Sequence, residues 1–262
     1  MRKYLALVKV QFKQNFAYRL STVASIVVGI FQVFIYYYIW RSVYGGEVEM
    51  KGFSFQQICT YVILSNVLFR LIEFGITLQI SDLVRTGEIA VKLTKPINFI
   101  SSLFFESIGS LASTIFTLVI PILIICLFMI PFYWQTNIIV ILLFFISLFM
   151  GIIISSYIDI IFGLLTFWTE NGWGLRVIRQ AMFKLFSGTI VPLVFLPGWF
   201  NKLCDKLPFK TLIDTPIRIY IYGVDKKVLS LMIDQLIWGV VLFLITHFLY
   251  KVIIKKMQMN GG

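Results

Sequence analysis

Long runs of apolar residues recur along this chain and constrain it more than any other feature. The run 138–167 contains a single charged residue, Asp159. About 20 predominantly apolar residues make a helix that crosses the hydrocarbon core of a bilayer. Six stretches qualify: 20–40, 56–79, 101–130, 138–167, 178–200 and 229–250. The chain is 59% hydrophobic and 13% charged, whereas a soluble domain carries roughly 25% charged residues. A soluble core cannot hide that much apolar surface, so the solvent is lipid. The 26 Phe, 12 Tyr and 6 Trp suit a bilayer with aromatic-rich interfaces. The expected fold is an all-α membrane protein of six transmembrane helices in one domain, 1–262, without internal repeat or linker.

The third and fourth stretches are long enough to require tilt or a kink, and Pro121 is a kink site. Pro192 and Pro197, inside SGTIVPLVFLPGW, break the fifth and free backbone carbonyls that need protein or water partners. Ahead of the first stretch, Leu5, Val8, Phe12 and Phe16 recur at helical spacing while Lys9 and Lys13 project elsewhere. This pattern predicts an amphipathic helix over 1–19 lying on the inner leaflet. No small-residue cleavage site follows the first run, so it is expected to be retained. Cys59, Cys126 and Cys204 read as small packing residues. The net charge of +11 comes with no soluble basic domain and implies no nucleic-acid partner.

Lysine and arginine placement sets the orientation. With a cytoplasmic N-terminus, the inner segments hold Arg2, Lys3, Lys9, Lys13, Arg19, Arg85, Lys92, Lys95, Arg176, Arg179, Lys184, Lys251, Lys255 and Lys256. The outer segments hold the smaller set Arg41, Lys51, Lys202, Lys206, Lys210, Arg218, Lys226 and Lys227. Both termini are therefore expected in the cytoplasm. The outer segment 201–228 is unusually basic for its side.

Intramembrane charges are functional candidates by default. Arg70 and Glu73, three apart in the second stretch, can share a helix face and form a structural ion pair, or serve a substrate path. Arg70 is near enough to the inner end to snorkel. Asp159 has no local partner and is expected to face another helix or a water-filled cavity. Glu106 and Asp234 sit near span ends, and His247 reads as packed or at headgroup level. Gly109 with Ser113 and Gly151 with Ser155, each four apart, permit close helix approach. Enzyme signatures are missing. A single histidine excludes H-E-x-x-H zinc chemistry, no G-x-S-x-G elbow occurs, and without a Gly-Lys dipeptide there is no phosphate-binding P-loop. The chain is expected to bind no cofactor of its own.

Between the second and third stretches lies a polar island, SDLVRTGEIAVKLTKP (81–96). Ser81 or Asp82 can cap a short helix, Gly87 can end or bend it, and Pro96 re-aims the chain. Such an element, held between two spans, can transmit motion. The sequence resembles the permease subunits of ABC-type-2 exporters, in the six-span subgroup of this length. The resemblance rests on VRTGEIAVKLTKPIN (84–98), FWTENGWG (167–174), FSGTIVPLVFLPGWF (186–200) and LPFKTLIDTPIRIYIYG (207–223), and covers nearly the whole chain.

The resemblance implies that the island is a coupling helix docking on a separate ATP-binding cassette subunit, through Asp82, Leu83, Val84, Arg85, Thr86, Gly87, Glu88 and Lys92. It implies a broken fifth span with re-entrant extracytoplasmic helices around 198–218, and an interfacial N-terminal helix. It further implies two cassette ATPase subunits carrying ATP and magnesium, a second identical or paralogous permease, membrane lipids around them, and a bacterial plasma (inner) membrane location. Spans one, two and five would line the path, with Phe31, Phe34, Tyr37, Phe69, Phe183 and Phe186 as candidate pathway residues. A non-transporting membrane scaffold that recruits a cytoplasmic protein through the same island is the alternative.

Overall fold

The computed structural model describes residues 2–15, 19–94, 96–169 and 171–260. Phe16, Lys95 and Glu170, each part of a pattern above, lie outside the described residues. Helix α1 (Arg2–Asn15) precedes α2 (Arg19–Tyr44). A minimal β-hairpin, Glu49–Met50 with Phe53–Ser54, leads into α3 (Phe55–Leu71), and α4 (Ile76–Thr86) and α5 (Glu88–Thr94) form the next corner. Helix α6 (Phe99–Thr114) continues through a π-helical turn, Ile115–Val119, into α7 (Ile120–Met129). Then come α8 (Ile138–Thr169) and α9 (Gly172–Phe186). Two 3-10 turns, Leu193–Phe195 and Pro208–Leu212, flank α10 (Gly198–Cys204), and α11 (Asp214–Tyr222) leads to α12 (Lys226–Asn260).

Five helical segments among the described residues are long and apolar enough to cross a membrane: Leu20–Tyr44, Phe55–Thr86, Phe99–Met129, Ile138–Thr169 and Lys227–Lys255. The fifth expected stretch, 178–200, is not one continuous helix. Helix α9 starts earlier, at Gly172, and its 15 residues rise roughly 22 Å, short of a hydrocarbon core of about 30 Å. Beyond it, Pro192 and Pro197 precede a 3-10 turn and α10. Proline has no N–H to continue a helical ladder, so the helix does not resume in line.

Local chemistry explains the other boundaries. Ser54 and Gln57 form a reciprocal capping box at the start of α3. Asn98 caps α6 by accepting from the Ser101 amide, and Asn171 caps α9 by accepting from the Gly174 amide. The π turn just before Pro121 gives the proline ring room within a long span.

Helix α8 is the hub of the bundle, packing against α4, α9, α11, α12 and the Pro208–Leu212 turn. The larger core lies among α2, α3, α7, α8 and α11. A second, smaller core, built on Ile76, Ile80, Ile89, Leu103, Leu164 and Ile253, sits at the end of the bundle that carries α4 and α5. Helix α1 packs lengthwise on α6. Tyr4 stacks on Phe105 at 4.7 Å and Phe12 meets Phe116 edge-on at 6.4 Å. The reason is Gly109: a Cβ there would lie 2.4 Å from the Val8 carbonyl oxygen. Its outer face, with Leu5 and Lys9, stays exposed.

Candidate functional site

One face of α8 presents Gly151, Ser155, Asp159 and Gly163 at successive four-residue intervals. Leu212 packs on Gly151, and Ile80 packs on Gly163 so closely that a Cβ there would lie 2.5 Å from its side chain. Between them, Ser155 and Asp159 meet a break in the second span. Helix α3 stops at Leu71 and α4 starts at Ile76, with Gly75 in the left-handed region at φ 74°. A helix end leaves orphan carbonyls and a helix start leaves orphan amides. Gly75 has no side chain to serve as a cap, and α8 supplies both partners. The Ser155 hydroxyl donates to the Ile72 carbonyl at 2.7 Å. Asp159 accepts from the Ile76 amide through Oδ2 at 3.0 Å and from the Thr77 amide through Oδ1 at 3.1 Å. The Thr77 hydroxyl lies within hydrogen-bonding reach of both the Asp159 carbonyl and its carboxylate.

Asp159 also meets α9. Arg179 Nε lies 3.3 Å from Asp159 Oδ1, and both side chains are fully buried. The rest of the guanidinium lies over the Phe183 ring, 5.0 Å from its centre, and its Nη atoms have no hydrogen-bond acceptor among the described residues. The charge of Arg179 is therefore balanced by Asp159 and the Phe183 face. Asp159 thus faces another helix, one of the two settings expected of it, and it holds α4, α8 and α9 together.

The expected Arg70–Glu73 helix face does not exist, because the helix ends between the two residues. Glu73 turns to α9, where its Oε1 lies 3.1 Å from Arg176 Nη2 and also bonds Gln180. Arg70 lies against α2 at Gly29, where a Cβ would come within 2.5 Å of its guanidinium, and it still feels the charge of Glu73.

The polar island folds as the last turns of α4, a corner at Gly87, and α5. Ser81 and Asp82 do not cap a helix here, because α4 begins a turn and a half earlier. Ser81 is buried inside α4 and presses on Gly172 at the start of α9. Gly87 ends α4 in the left-handed conformation, φ 74°, with its amide on the Val84 carbonyl. Asp82, Arg85, Thr86, Gly87 and Glu88 are exposed, whereas Leu83 and Val84 are half-buried on the second core. Lys92 is half-buried and ion-paired to Glu106 of α6 at 3.0 Å, and Glu106 also bonds Gln79 of α4. Arg85 and Asp82 are 3.5 Å apart with both side chains largely in solvent, an arrangement that holds them loosely. The corner is therefore charged and open on its outer side and pinned on its inner side by Ile89, Lys92 and the second core.

A further buried network joins the chain after α9 to α3. The Tyr61 hydroxyl lies 3.0 Å from the Gly188 carbonyl and 3.2 Å from Asp214, whose other oxygen lies 2.8 Å from Arg218 Nε. Gln235 of α12 donates to the carbonyls of Ser147 and Thr211. The four-residue spacing of Asp214 and Arg218 within IDTPIRIY was the visible signal for this pair.

The six candidate pathway residues fall at several places in the single chain. Phe31 and Phe34 border an apolar groove that runs along α2. Tyr37 packs near Phe55, and Lys184 sits over the Phe69 ring. Phe183 is buried against Phe209, and Phe186 stacks between Phe200 and Phe209.

These features define a multi-pass helical membrane protein that presents one charged, firmly held corner at an end of its bundle. The chain belongs to the ABC-2 family of transporter proteins, whose family model matches residues 20–261. It is a membrane permease of that type. No curated protein matches the chain closely enough to count as a relative.

Proposed function

We propose that this chain is the permease subunit of an ATP-driven exporter. It forms the substrate pathway with a second copy or a paralogous permease, and two ATP-binding cassette subunits drive it and carry the ATP and magnesium. The observation that carries this reading is the α4–α5 corner. Its exposed residues Asp82, Arg85, Thr86, Gly87 and Glu88 offer charge to a soluble partner, while its inner face is tied to three other helices. A corner held this way passes a push inward. Leu83 and Val84 shape it from below, and Lys92 anchors it through Glu106. Family membership supports the transport role.

Both termini and the corner belong on the cytoplasmic side of the bacterial inner membrane, in keeping with the lysine and arginine bias. The segment 187–222 is a re-entrant return that completes a broken fifth crossing. Leu212 packs on Gly151, which lies roughly 20 Å along α8 from its start at Ile138. That depth supports a loop dipping into the membrane from outside. Lipids meet the exposed apolar face of α2, where Phe31 and Phe34 lie.

The test is purification in mild detergent with the genomic neighbourhood expressed. A cassette ATPase is expected to come down with the chain, and its absence sinks the permease reading. Arg85→Glu and Glu88→Arg are expected to weaken docking roughly tenfold or more, since like charges facing each other across an interface repel strongly. Membrane insertion should be unaffected. Unchanged ATPase stimulation in both variants removes the corner from the interface.

A further inference from the structure

We infer that the coupling helix moves with spans four and five rather than with its own span. This inference rests on the coupling reading above. Helix α4 continues the second span in sequence, yet the backbone ladder between α3 and α4 is interrupted over Ile72–Gly75. At that point α8 provides the ligands. Asp159 holds the first two amides of α4, Thr77 returns its hydroxyl to Asp159, and Arg179 ties the same carboxylate to α9. Ile80 seats in the notch at Gly163, and Ser81 abuts Gly172. The closest contacts of Ile76, Thr77, Ile80 and Ser81 are thus to α8 or α9, while Gln79 bonds Glu106 of α6.

The attachment to α3 is of a different kind. It consists of a short irregular segment with a left-handed glycine, which α8 and α9 hold by the Ser155 hydroxyl on the Ile72 carbonyl and by Arg176 and Gln180 on Glu73. Backbone at such a segment can absorb dihedral changes that a continuous helix cannot. A buried carboxylate shared among two amides and a guanidinium resists separation, because moving any of them away leaves a buried charge or donor unpaired. The weakest joint on α4 is therefore the one to its own span. A displacement of the corner turns α4, α8 and α9 as one block and bends the chain at Ile72–Gly75. Asp159 is the positioning residue of that block.

The test uses spin-label pairs on the full-length protein in lipid nanodiscs, with the native cysteines replaced. One pair, Leu78→Cys with Thr169→Cys, lies within the block. The other, Leu78→Cys with Gln56→Cys, crosses the break. In the protein without its ATPase, the first pair gives a narrow distance distribution that roughly doubles in width on Asp159→Ala. Thr77→Val, which removes one hydroxyl, gives a smaller broadening and serves if Asp159→Ala does not insert. A broad distribution in the unsubstituted protein, or no change in either variant, overturns the clamp. In the complex, trapping with ATP shifts the second pair and leaves the first in place. A shift of the first pair equal to that of the second overturns the block. Failure to capture an ATPase defeats the coupling reading alone, because the first arm still decides the clamp.

Discussion

Asp159 is the residue on which most of the arrangement depends. Its carboxylate accepts from two amides and is ion-paired to a buried guanidinium, so removing it strands two donors and a charge. Loss of one partner from a buried pair costs about 3–5 kcal/mol. Asp159→Ala is expected to lose stability on that order in chemical unfolding in detergent. The double change Asp159→Asn with Arg179→Gln keeps an amide acceptor and removes the charge imbalance, so it should recover a substantial part of the loss. If the double variant is no better than Asp159→Ala, the carboxylate–guanidinium pair is not what the fold depends on. The sequence marked Asp159 as notable but could not supply its partners. The amides it caps are as many as 83 residues away, and Arg179 looked like one more inner-side basic residue in the orientation count. By contrast, Gly87 was legible as a helix end, because glycine at a left-handed C-terminus is a local signal.

Among the elements, α1 and the α4–α5 corner carry the clearest consequences. Helix α1 depends on Gly109 for its closest approach to α6, and the atom it would meet is backbone oxygen. Backbone cannot rotate away as a side chain can. Gly109→Val is therefore expected to lift α1 off α6 while leaving the spans inserted, and hydrogen exchange across 2–15 should rise sharply. Unchanged protection there would mean that Tyr4 and Phe12 alone hold the helix. At the corner, Gly87→Ala forces a side chain into the left-handed region, at a cost of roughly 1–2 kcal/mol. The expected result is weakened ATPase docking from a shifted corner, measured as affinity for the purified cassette subunit. Element ends were only partly legible from sequence. The start of α8 at Ile138 coincides with the onset of its apolar run, because partition into lipid is set by composition alone. The break at Ile72–Gly75 had no proline to mark it, and one glycine among apolar residues is a weak sign.

For the whole molecule, the apolar runs revealed a helical membrane protein, and the family match agrees. Five of the six expected stretches became long apolar helices. The stretch with two prolines became α9 and an irregular return, so hydropathy counted residues that never stack into one rod. Topology provides the test at this scale. With the native cysteines replaced, Lys206→Cys is expected to react with an impermeant thiol reagent from outside the cell. Labelling only from the cytoplasmic side reverses the orientation and with it the assignment of the α4–α5 corner to the ATPase.

The position of Asp159 along the chain also bears on biogenesis. Ribosomes deliver α4 first, then α8, and α9 only afterwards, so Asp159 reaches the bilayer while Arg179, at most about 70 Å of extended chain behind it, is still inside the ribosome. An unpartnered aspartate at the centre of a span opposes insertion by about 2.5–3.5 kcal/mol, and Asp159, about two-thirds of the way along α8, bears part of that cost. The helix that carries it is the most apolar of the five, which lets it enter while its cation is still on the ribosome. Its greasiness is thus a condition for delivering a charge to the interior, and trimming that greasiness should trap the nascent chain at the translocon rather than unfold the finished protein.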